Sequence, residues 1–557
     1  MTTTSNTVEA NVGSEAAARD DYALRQVPPT WRYSRSALIL ALSGGSTAAF
    51  FLAFPAQLAT GFGVQNVLIG MVYALVLQTA LNYVFIRTAS RTGLNSDLMS
   101  RGLALGFDGS AWTTLIYWVT WVIFFGIEGQ ILAGALAEQI GIPSWLSYLI
   151  VGGAFLPLVI YGISFMYRFQ KWTLLLYALG IGILLVNVLT KPNLGDSISN
   201  IGELSEGATL GGLGLLGVIA AYNGLIGNVT FGHADIGRLL ANDQSLASSR
   251  RTDIFWLSFL PYSLVAYVLF GLLGLLFWAV TKETNPGTYF VQLIGVIGFL
   301  LIIVTQLRIN LINAYSGSLC LANFFSRLQI TPNRSFWAVV MVVIGVVLMF
   351  GNILDHVDKV LTFEGVLIAA WIGVIFTDMI FVRGRAGYGP NNGQFIEYRR
   401  AMLSHWNKVG VLPLVVSTIL GSVLALGGAT GKLGGEVSLY LSGFITFIVA
   451  GLLTLFLGLR DRGRSYAVRD LIGWPRDDSV VECPLDHEVV STSDMFPCPY
   501  HEAWICSHDC MGTRGCGEQC KTLSEEQLLQ IPLPPRTERL ESVNDRLSEK
   551  SNTSETP

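Results

Sequence analysis

Charge is what this chain has least of. Of its 557 residues only 13% are Asp, Glu, Lys or Arg, against roughly 25% in ordinary soluble domains, while 52% are hydrophobic. That balance excludes a soluble enzyme and a disordered scaffold. Cysteine is scarce too, apart from one short stretch: six of the seven lie between 483 and 520, so a secreted disulfide framework is excluded. The first 35 residues lack an apolar core and carry Asp20, Asp21 and Arg25. No cleavable signal peptide is therefore expected, and the N-terminus should stay in the cytoplasm. What remains is a polytopic membrane protein, all-α in the spanning part.

A helix needs roughly 20 mostly apolar residues to cross the hydrocarbon core. Twelve such runs lie near 36–60, 65–87, 111–137, 145–165, 171–190, 209–231, 253–281, 289–323, 336–354, 357–382, 408–428 and 438–458. With the N-terminus inside, the cytoplasmic loops follow the even-numbered runs. These loops and their edges hold fifteen cations: Arg87, Arg91, Arg101, Arg168, Lys171, Arg238, Arg250, Arg251, Arg327, Arg334, Arg383, Arg385, Arg399, Arg400 and Lys408. The opposite loops hold only Lys191, Lys282, Lys359 and Lys432. This asymmetry predicts a cell-membrane protein with both termini cytoplasmic. The expected organisation is a cytoplasmic segment 1–35, a twelve-helix domain 36–458, a linker 459–482, a Cys/His-rich module 483–520 and a disordered tail 521–557.

Polar residues inside the spans mark a transport path or a partner, because a charge in hydrocarbon costs about 2.5 to 3.5 kcal/mol even on lenient scales. Two spans carry small, polar interruptions: Ser43-Gly44-Gly45-Ser46-Thr47 in the first and Asn223-Gly224-Leu225-Ile226-Gly227-Asn228 in the sixth. Lying five spans apart, they occupy matching places in two five-helix repeats, where unwound backbone can meet a ligand. Close helix packing by small residues is the alternative. The third span holds Glu128, a candidate proton carrier. The eighth holds Arg308, which keeps its proton and so needs a carboxylate, carbonyls or an anion; Glu128 is the natural candidate. Asn310 and Asn313, three apart, share one helix face, and their amides suit a neutral heterocycle better than an ion. Asp235 and Arg238 read as an anchor or inner gate at the end of the sixth span, beside His233. No nucleophile and base pattern for an enzyme is found within the spans.

At these residues the chain resembles the nucleobase:cation symporter family 1, the purine/cytosine permeases and their hydantoin and allantoin relatives. The matching stretches are Ala59-Thr60-Gly61-Phe62-Gly63, Thr92-Gly93-Leu94-Asn95, Arg101-Gly102 and Phe125-Gly126. Ala234-Asp235 with Arg238, the segment from Asn310 to Leu321-Ala322-Asn323, and Leu361-Thr362-Phe363 leading to Asp378 follow in order, so that residues 25 to 385 are covered. The resemblance implies twelve transmembrane helices in the five-plus-five inverted repeat of the leucine-transporter type, with a flat base held between the first, third, sixth and eighth spans. Carried over by position, the substrate contacts are Ala48, Phe124, Glu128, Ile226, Asn228, Asn310 and Asn313 or Ala314. Phe124 stands where relatives carry Trp, and Ile226 where many place a stacking aromatic. In sodium-coupled relatives the ion sits on first-span carbonyls, here near Gly44 and Thr47, and on small or hydroxyl residues of the eighth span. Here those eighth-span places hold Arg308 and Ile309. A fixed cation would repel or replace sodium, which predicts sodium-independent or proton-coupled uptake, with Glu128 as carrier.

The tail spaces its ligand-type residues as Cys483-x3-His487, Cys498-x2-His501, Cys506-x-His508-x-Cys510 and Cys516-x3-Cys520. In a reducing cytoplasm such a set points to metal rather than disulfides: zinc in one or two tetrahedral sites, or an iron–sulfur cluster. The segment resembles Cys-rich stretches after permease-like regions of bacterial sensor proteins, at Cys498-Pro499 and Ile505-Cys506-Ser507. A transporter is therefore one expectation. A transporter-shaped sensor that binds the same ligand and signals through its tail to a cytoplasmic protein is the other. The partners expected are a nucleobase-like small molecule and the lipid bilayer, and no nucleic acid.

Overall fold

The computed structural model describes residues 22, 24–28, 31–159, 162–205, 208–241, 247–328, 330, 334–468, 480–513 and 515–533. Most of the expected N-terminal segment, much of the linker and residues 534–557 lie outside the described residues. Among these residues nine helices are long and apolar enough to cross a membrane, and a tenth crossing is the bent pair Arg35–Ser46 and Phe50–Phe62. Two shorter apolar helices, Ser144–Pro157 and Ser335–Phe350, complete the set. Each of the twelve expected runs thus falls on helix. The chain is a multi-pass membrane protein, and large apolar side chains such as Val76, Leu176, Val186, Val347 and Leu452 stand exposed on its helices as a lipid-facing coat.

Packing follows the repeat. The third (Ser110–Ile140), fourth (Ser144–Val159), eighth (Pro286–Arg327) and ninth (Arg334–Phe350) spans pack on one another. The first, second (Val64–Thr92), sixth (Gly212–Gly237) and seventh (Ala247–Ser258, continuing to Thr281) form the other group. Each group takes two helices from the first five spans and the two that lie five places later, the arrangement an inverted repeat requires.

The first span breaks where the sequence expects it. Its first half is capped by the Ser34 side chain, which accepts from the Ala37 N–H, and it stops at Thr47, whose backbone leaves the helical region at φ −110° and ψ 22°. The sixth span does not break. Gly212–Gly237 is one continuous helix through Asn223–Asn228, which corrects the expectation of a second interruption. Its glycines serve close approach instead. A Cβ on Gly224 would lie 2.5 Å from the Leu361 carbonyl oxygen, and one on Gly227 would lie 2.0 Å from the Ile368 side chain, both in the tenth span (Val357–Thr377).

The tail folds against one end of this bundle. Strands β1 (Val480–Glu482) and β2 (Val489–Ser491) pair antiparallel, as do β3 (Phe496–Cys498) and β4 (Ala503–Ile505). The expected end of the module at 520 moves outward: a helix, Glu525–Leu529, opens with a Ser524–Gln527 capping box and buries Leu528. The module's core, including Val481, Met495, Trp504 and Ile505, closes over Ala401 and Met402 from the loop between the tenth and eleventh spans.

Buried charge fixes the same end. Asp97 accepts from Arg101 at 3.0 Å, from Arg327 at 3.2 Å and from the Thr114 hydroxyl. Burial alone would push the Asp97 carboxyl up, but Arg327 and Arg101 outweigh it and hold it below the usual carboxylate range. A lowered native value means that this contribution is complete above the unfolded value and is lost as pH falls through it. The substitution D97N, which leaves two buried guanidinium groups without their carboxylate, should cost roughly 3 to 5 kcal/mol. The purified wild-type protein should also melt earlier as pH drops below about 4, with D97N responding less. Thermal melts across pH check this, and an unchanged melting temperature for D97N would remove Asp97 from this role.

Candidate functional site

The first-span break is met by the eighth span. Thr305 Oγ1 donates to the Thr47 carbonyl at 3.2 Å, and Arg308 Nη2 donates to Ser43 Oγ at 3.4 Å. The Arg308 guanidinium also lies 5.5 Å from the Tyr177 ring centre of the fifth span. Within the break, Thr47 Oγ1 donates to the Ser43 carbonyl at 2.5 Å. Arg308 therefore stands against the segment that holds Gly44 and Thr47. Thr305, which sequence reading passed over, makes the direct bond to the freed carbonyl.

Glu128 does not pair with Arg308, which corrects the natural expectation. Its carboxyl faces the Gln306 side chain and the Phe50 N–H. The reason is helical geometry: two residues turn a helix by about 200°, so when Gln306 looks toward the third span Arg308 looks away from it. Glu128 Oε2 has no hydrogen-bond partner, although the residue is 1% exposed.

The remaining expected contacts divide. Asn313 Nδ2 donates to Asn310 Oδ1 at 3.0 Å, which leaves Asn310 Nδ2 buried without a partner. Asn228 accepts from Thr120 Oγ1 at 3.0 Å and donates to Glu364 Oε1 at 2.5 Å and to the Gly224 carbonyl at 3.1 Å. Phe124 meets Phe50 edge to face at 5.6 Å, and Phe50 stacks on Phe54. Ala48 and Ile226 are buried in the apolar core. Glu364 was not foreseen. It is buried with Oε2 unpartnered, and it borders a cavity of about 290 Å³ with Val119, Ile123, Val360, Phe363 and Leu367. Its signal was available, one residue beyond Leu361-Thr362-Phe363.

At the foot of the sixth span Asp235 and Arg238 anchor the backbone. Asp235 Oδ1 accepts from the Ser96 N–H at 2.7 Å, while Arg238 donates to the Asp235 carbonyl at 3.1 Å and to the Tyr22 carbonyl at 2.9 Å.

No protein-family profile matches the chain, and no curated protein does. Solved structures do. Mhp1, a nucleobase-cation-symport-1 family transporter in a closed conformation with bromovinylhydantoin bound, aligns over 79% of this chain and 95% of its own at 19% identity, with a TM-score of 0.59. Its inward-facing conformation aligns over 80% and 97% at 16% identity, again with a TM-score of 0.59. The chain has the Mhp1 fold. A Na+-coupled sialic acid symporter, captured in a substrate-bound outward-open state, aligns over 82% and 95% at 13% identity and 0.55. The inverted-repeat transporter fold expected from the family resemblance is thus the fold observed.

A second cluster lies in the tail. One donor atom each from Cys483, Asp486, Cys506 and Asp509 lies within 4.8 Å of all the others, a set able to hold a metal ion. Cys483 Sγ is 3.0 Å from Asp509 Oδ2, and Cys506 Sγ is 3.4 Å from the same oxygen and 3.6 Å from Asp486 Oδ2. His508 Nδ1, buried and without a hydrogen bond, lies 3.7 Å from Asp509 and 3.8 Å from Asp486. Six expected ligands are elsewhere: His487 bonds Glu482 at 2.9 Å on the surface, His501 bonds Thr513 at 3.0 Å, and Cys498, Cys510, Cys516 and Cys520 line a separate small cavity. The carboxylates were missed, although Cys-x-x-Asp occurs twice, at 483–486 and 506–509.

Gly45, in the first half of the broken span, leaves little tolerance. A Cβ on Gly45 would lie 1.8 Å from the Tyr262 hydroxyl, and that ring is wedged between Phe51 and His233. Gly45→Ala should destabilise the protein by about 1 to 3 kcal/mol, whereas Gly61→Ala, with open space around it, should not. Melting curves in detergent compare them, and equal stability of the two variants would contradict this packing.

Proposed function

We propose that this protein is a secondary transporter of the cell membrane that carries a flat, neutral heterocycle such as cytosine, a purine, allantoin or hydantoin, driven by protons or at least without sodium. The observation that carries this reading is the first-span break, where a permanently charged guanidinium is seated at Ser43, one turn along the eighth span from the Thr305 hydroxyl that bonds the Thr47 carbonyl. A cation already fixed there disfavours a second, mobile one through like-charge repulsion in a low-dielectric site. Around it, Glu128 Oε2, Asn310 Nδ2 and the Gln306 amide are buried and unpartnered. Such groups cost about 1 to 3 kcal/mol each unless a ligand or water satisfies them. Amide-type donors and acceptors beside Phe124 and Phe50 fit the edge and face of a planar base. The Mhp1 likeness, in which a hydantoin derivative is bound, supports the same class. This is carriage, with no covalent chemistry.

Both termini are assigned to the cytoplasm from the Lys/Arg asymmetry. In the tail, zinc is the ion favoured at Cys483, Asp486, Cys506 and Asp509, with His508 within reach, because thiolate, carboxylate and imidazole donors all suit it. A sensing role has one observation in its favour: the tail is built into the same end of the bundle. Arg399 donates to the Met495 carbonyl at 2.8 Å, and the Tyr398 hydroxyl bonds Asp494.

Uptake into proteoliposomes of labelled cytosine, uracil, adenine, hypoxanthine, allantoin and hydantoin, under separate sodium and proton gradients, tests the reading. Accumulation should follow the proton gradient or ligand exchange and ignore sodium. Glu128→Gln should lower proton-driven accumulation about tenfold or more, equivalent to roughly 1.4 kcal/mol, while ligand exchange persists. Sodium-stimulated uptake would overturn the coupling assignment. Ligand binding with no accumulation under any gradient would favour the sensor.

A further inference from the structure

Four tail cysteines stand apart from the Cys/Asp group. Cys498, Cys510, Cys516 and Cys520 line a single small cavity of about 20 Å³, closed on its apolar side by Phe496 and Ile505. None of the four is in a disulfide.

The chain is shaped to bring them together. Cys498 ends β3, and Cys510 lies on the short helix Ser507–Gly512. Cys516 is held between Gly515 at φ +76° and Gly517 at φ +58°, left-handed positions that glycine adopts without strain and that turn the loop around the cavity. Asp509 and Cys510 are neighbours on one helix, about 100° apart around its axis, so the first can serve the Cys/Asp group while the second points to a different side.

We infer that Cys498, Cys510, Cys516 and Cys520 form a second metal site, an all-thiolate tetrahedron for one thiophilic divalent ion of the zinc type. The donor set is soft and carries four sulfurs, the combination that selects zinc among the common divalent ions. A space of about 10 to 15 Å³ holds one water, so a cavity of about 20 Å³ has room for a single ion among the four cysteines. Unlike the Cys/Asp donors, these sulfurs do not all lie within 4.8 Å of one another, so the inferred ion would have to draw them inward around the cavity they line.

The two ligand sets alternate along the chain: Cys483 and Asp486, then Cys498, then Cys506 and Asp509, then Cys510, Cys516 and Cys520. Each ion therefore ties together segments that the other ion also brackets. A module with two sheets of two three-residue strands has little core of its own, and metals commonly supply what such small units lack. The inference is independent of what the spans carry.

Metal analysis of the full-length protein, purified in detergent after growth with zinc, tests the site. The wild type should hold two zinc ions per chain. Cys516→Ser, at the partly exposed rim, should hold one, as should Cys483→Ser at the other site, while Cys320→Ser in the eighth span should keep both. One ion in the wild type, or two in Cys516→Ser, overturns the proposal, as do iron and acid-labile sulfide. If the variants fail to fold, the wild type still decides. Stepwise blocking of its thiols with a mercurial should release one ion with the modification of four thiols and the other with two, and cobalt in the metal-stripped protein should give the strong sulfur-to-metal absorption of a four-thiolate tetrahedron. Cobalt spectra lacking that absorption would refute the site.

Discussion

A helix interrupted inside a membrane frees backbone carbonyls that water cannot reach, and everything around the first span answers that demand. The Ser43 to Thr47 segment ends one half-helix, and Phe50–Phe62 starts the next at a bend of 46°. The eighth span supplies a hydroxyl to the Thr47 carbonyl and a guanidinium to Ser43. It can do so only because it packs along the third span and against the first, in the crossed group that the repeat creates. The break is thus held open by side chains of a helix five places from its own group's counterpart. The atoms left without protein partners, Glu128 Oε2 and Asn310 Nδ2, lie on the third and eighth spans.

The sixth span shows why symmetry of sequence need not become symmetry of structure. Its glycines occupy the place matching Gly44 and Gly45, yet the tenth span presses against them through Leu361 and Ile368. Side chains also close the helix on itself: Asn228 bonds the Gly224 carbonyl, and Thr230 bonds the Ile226 carbonyl at 2.8 Å. A glycine in a helix permits either a break or a close approach. Which one results depends on a partner more than a hundred residues away.

Much of the architecture was legible in the sequence for this reason: hydropathy is local, and each of the twelve apolar runs is helical wherever it packs. The first break was legible because Ser43-Gly44-Gly45-Ser46-Thr47 is both flexible and polar. The site was less so. Arg308 drew attention by its charge, but the neutral Gln306, two residues earlier, is the side chain that faces Glu128. Glu364 stands one residue beyond Leu361-Thr362-Phe363, and only the fold brings it to Asn228. In the tail the cysteines announced themselves, while aspartate is too common to do so. His487 and His501 looked like ligands by spacing, but backbone direction turns each toward a nearer partner.

The tail and the break belong to one mechanical path. Arg25 Nη1 lies 3.4 Å from Asp486 Oδ2, a member of the Cys/Asp group, and Ser507, next to Cys506, donates to the Leu24 carbonyl at 3.2 Å. Gln26 accepts from Ser493 Oγ at 2.6 Å. A few residues on, Tyr33 pairs with the end of the sixth span through the Leu239 carbonyl, and Ser34 caps the first half-helix. The segment leading into the broken span is therefore gripped on one side by the tail and on the other by the sixth span. A half-helix that ends in a break is free to tilt about it, since no continuous backbone ladder resists. Any such tilt must carry the Cys/Asp group with it or part the Arg25 to Asp486 pair. The position of that group and the position of the first half-helix are thus linked by contact through the Arg25 to Asp486 pair.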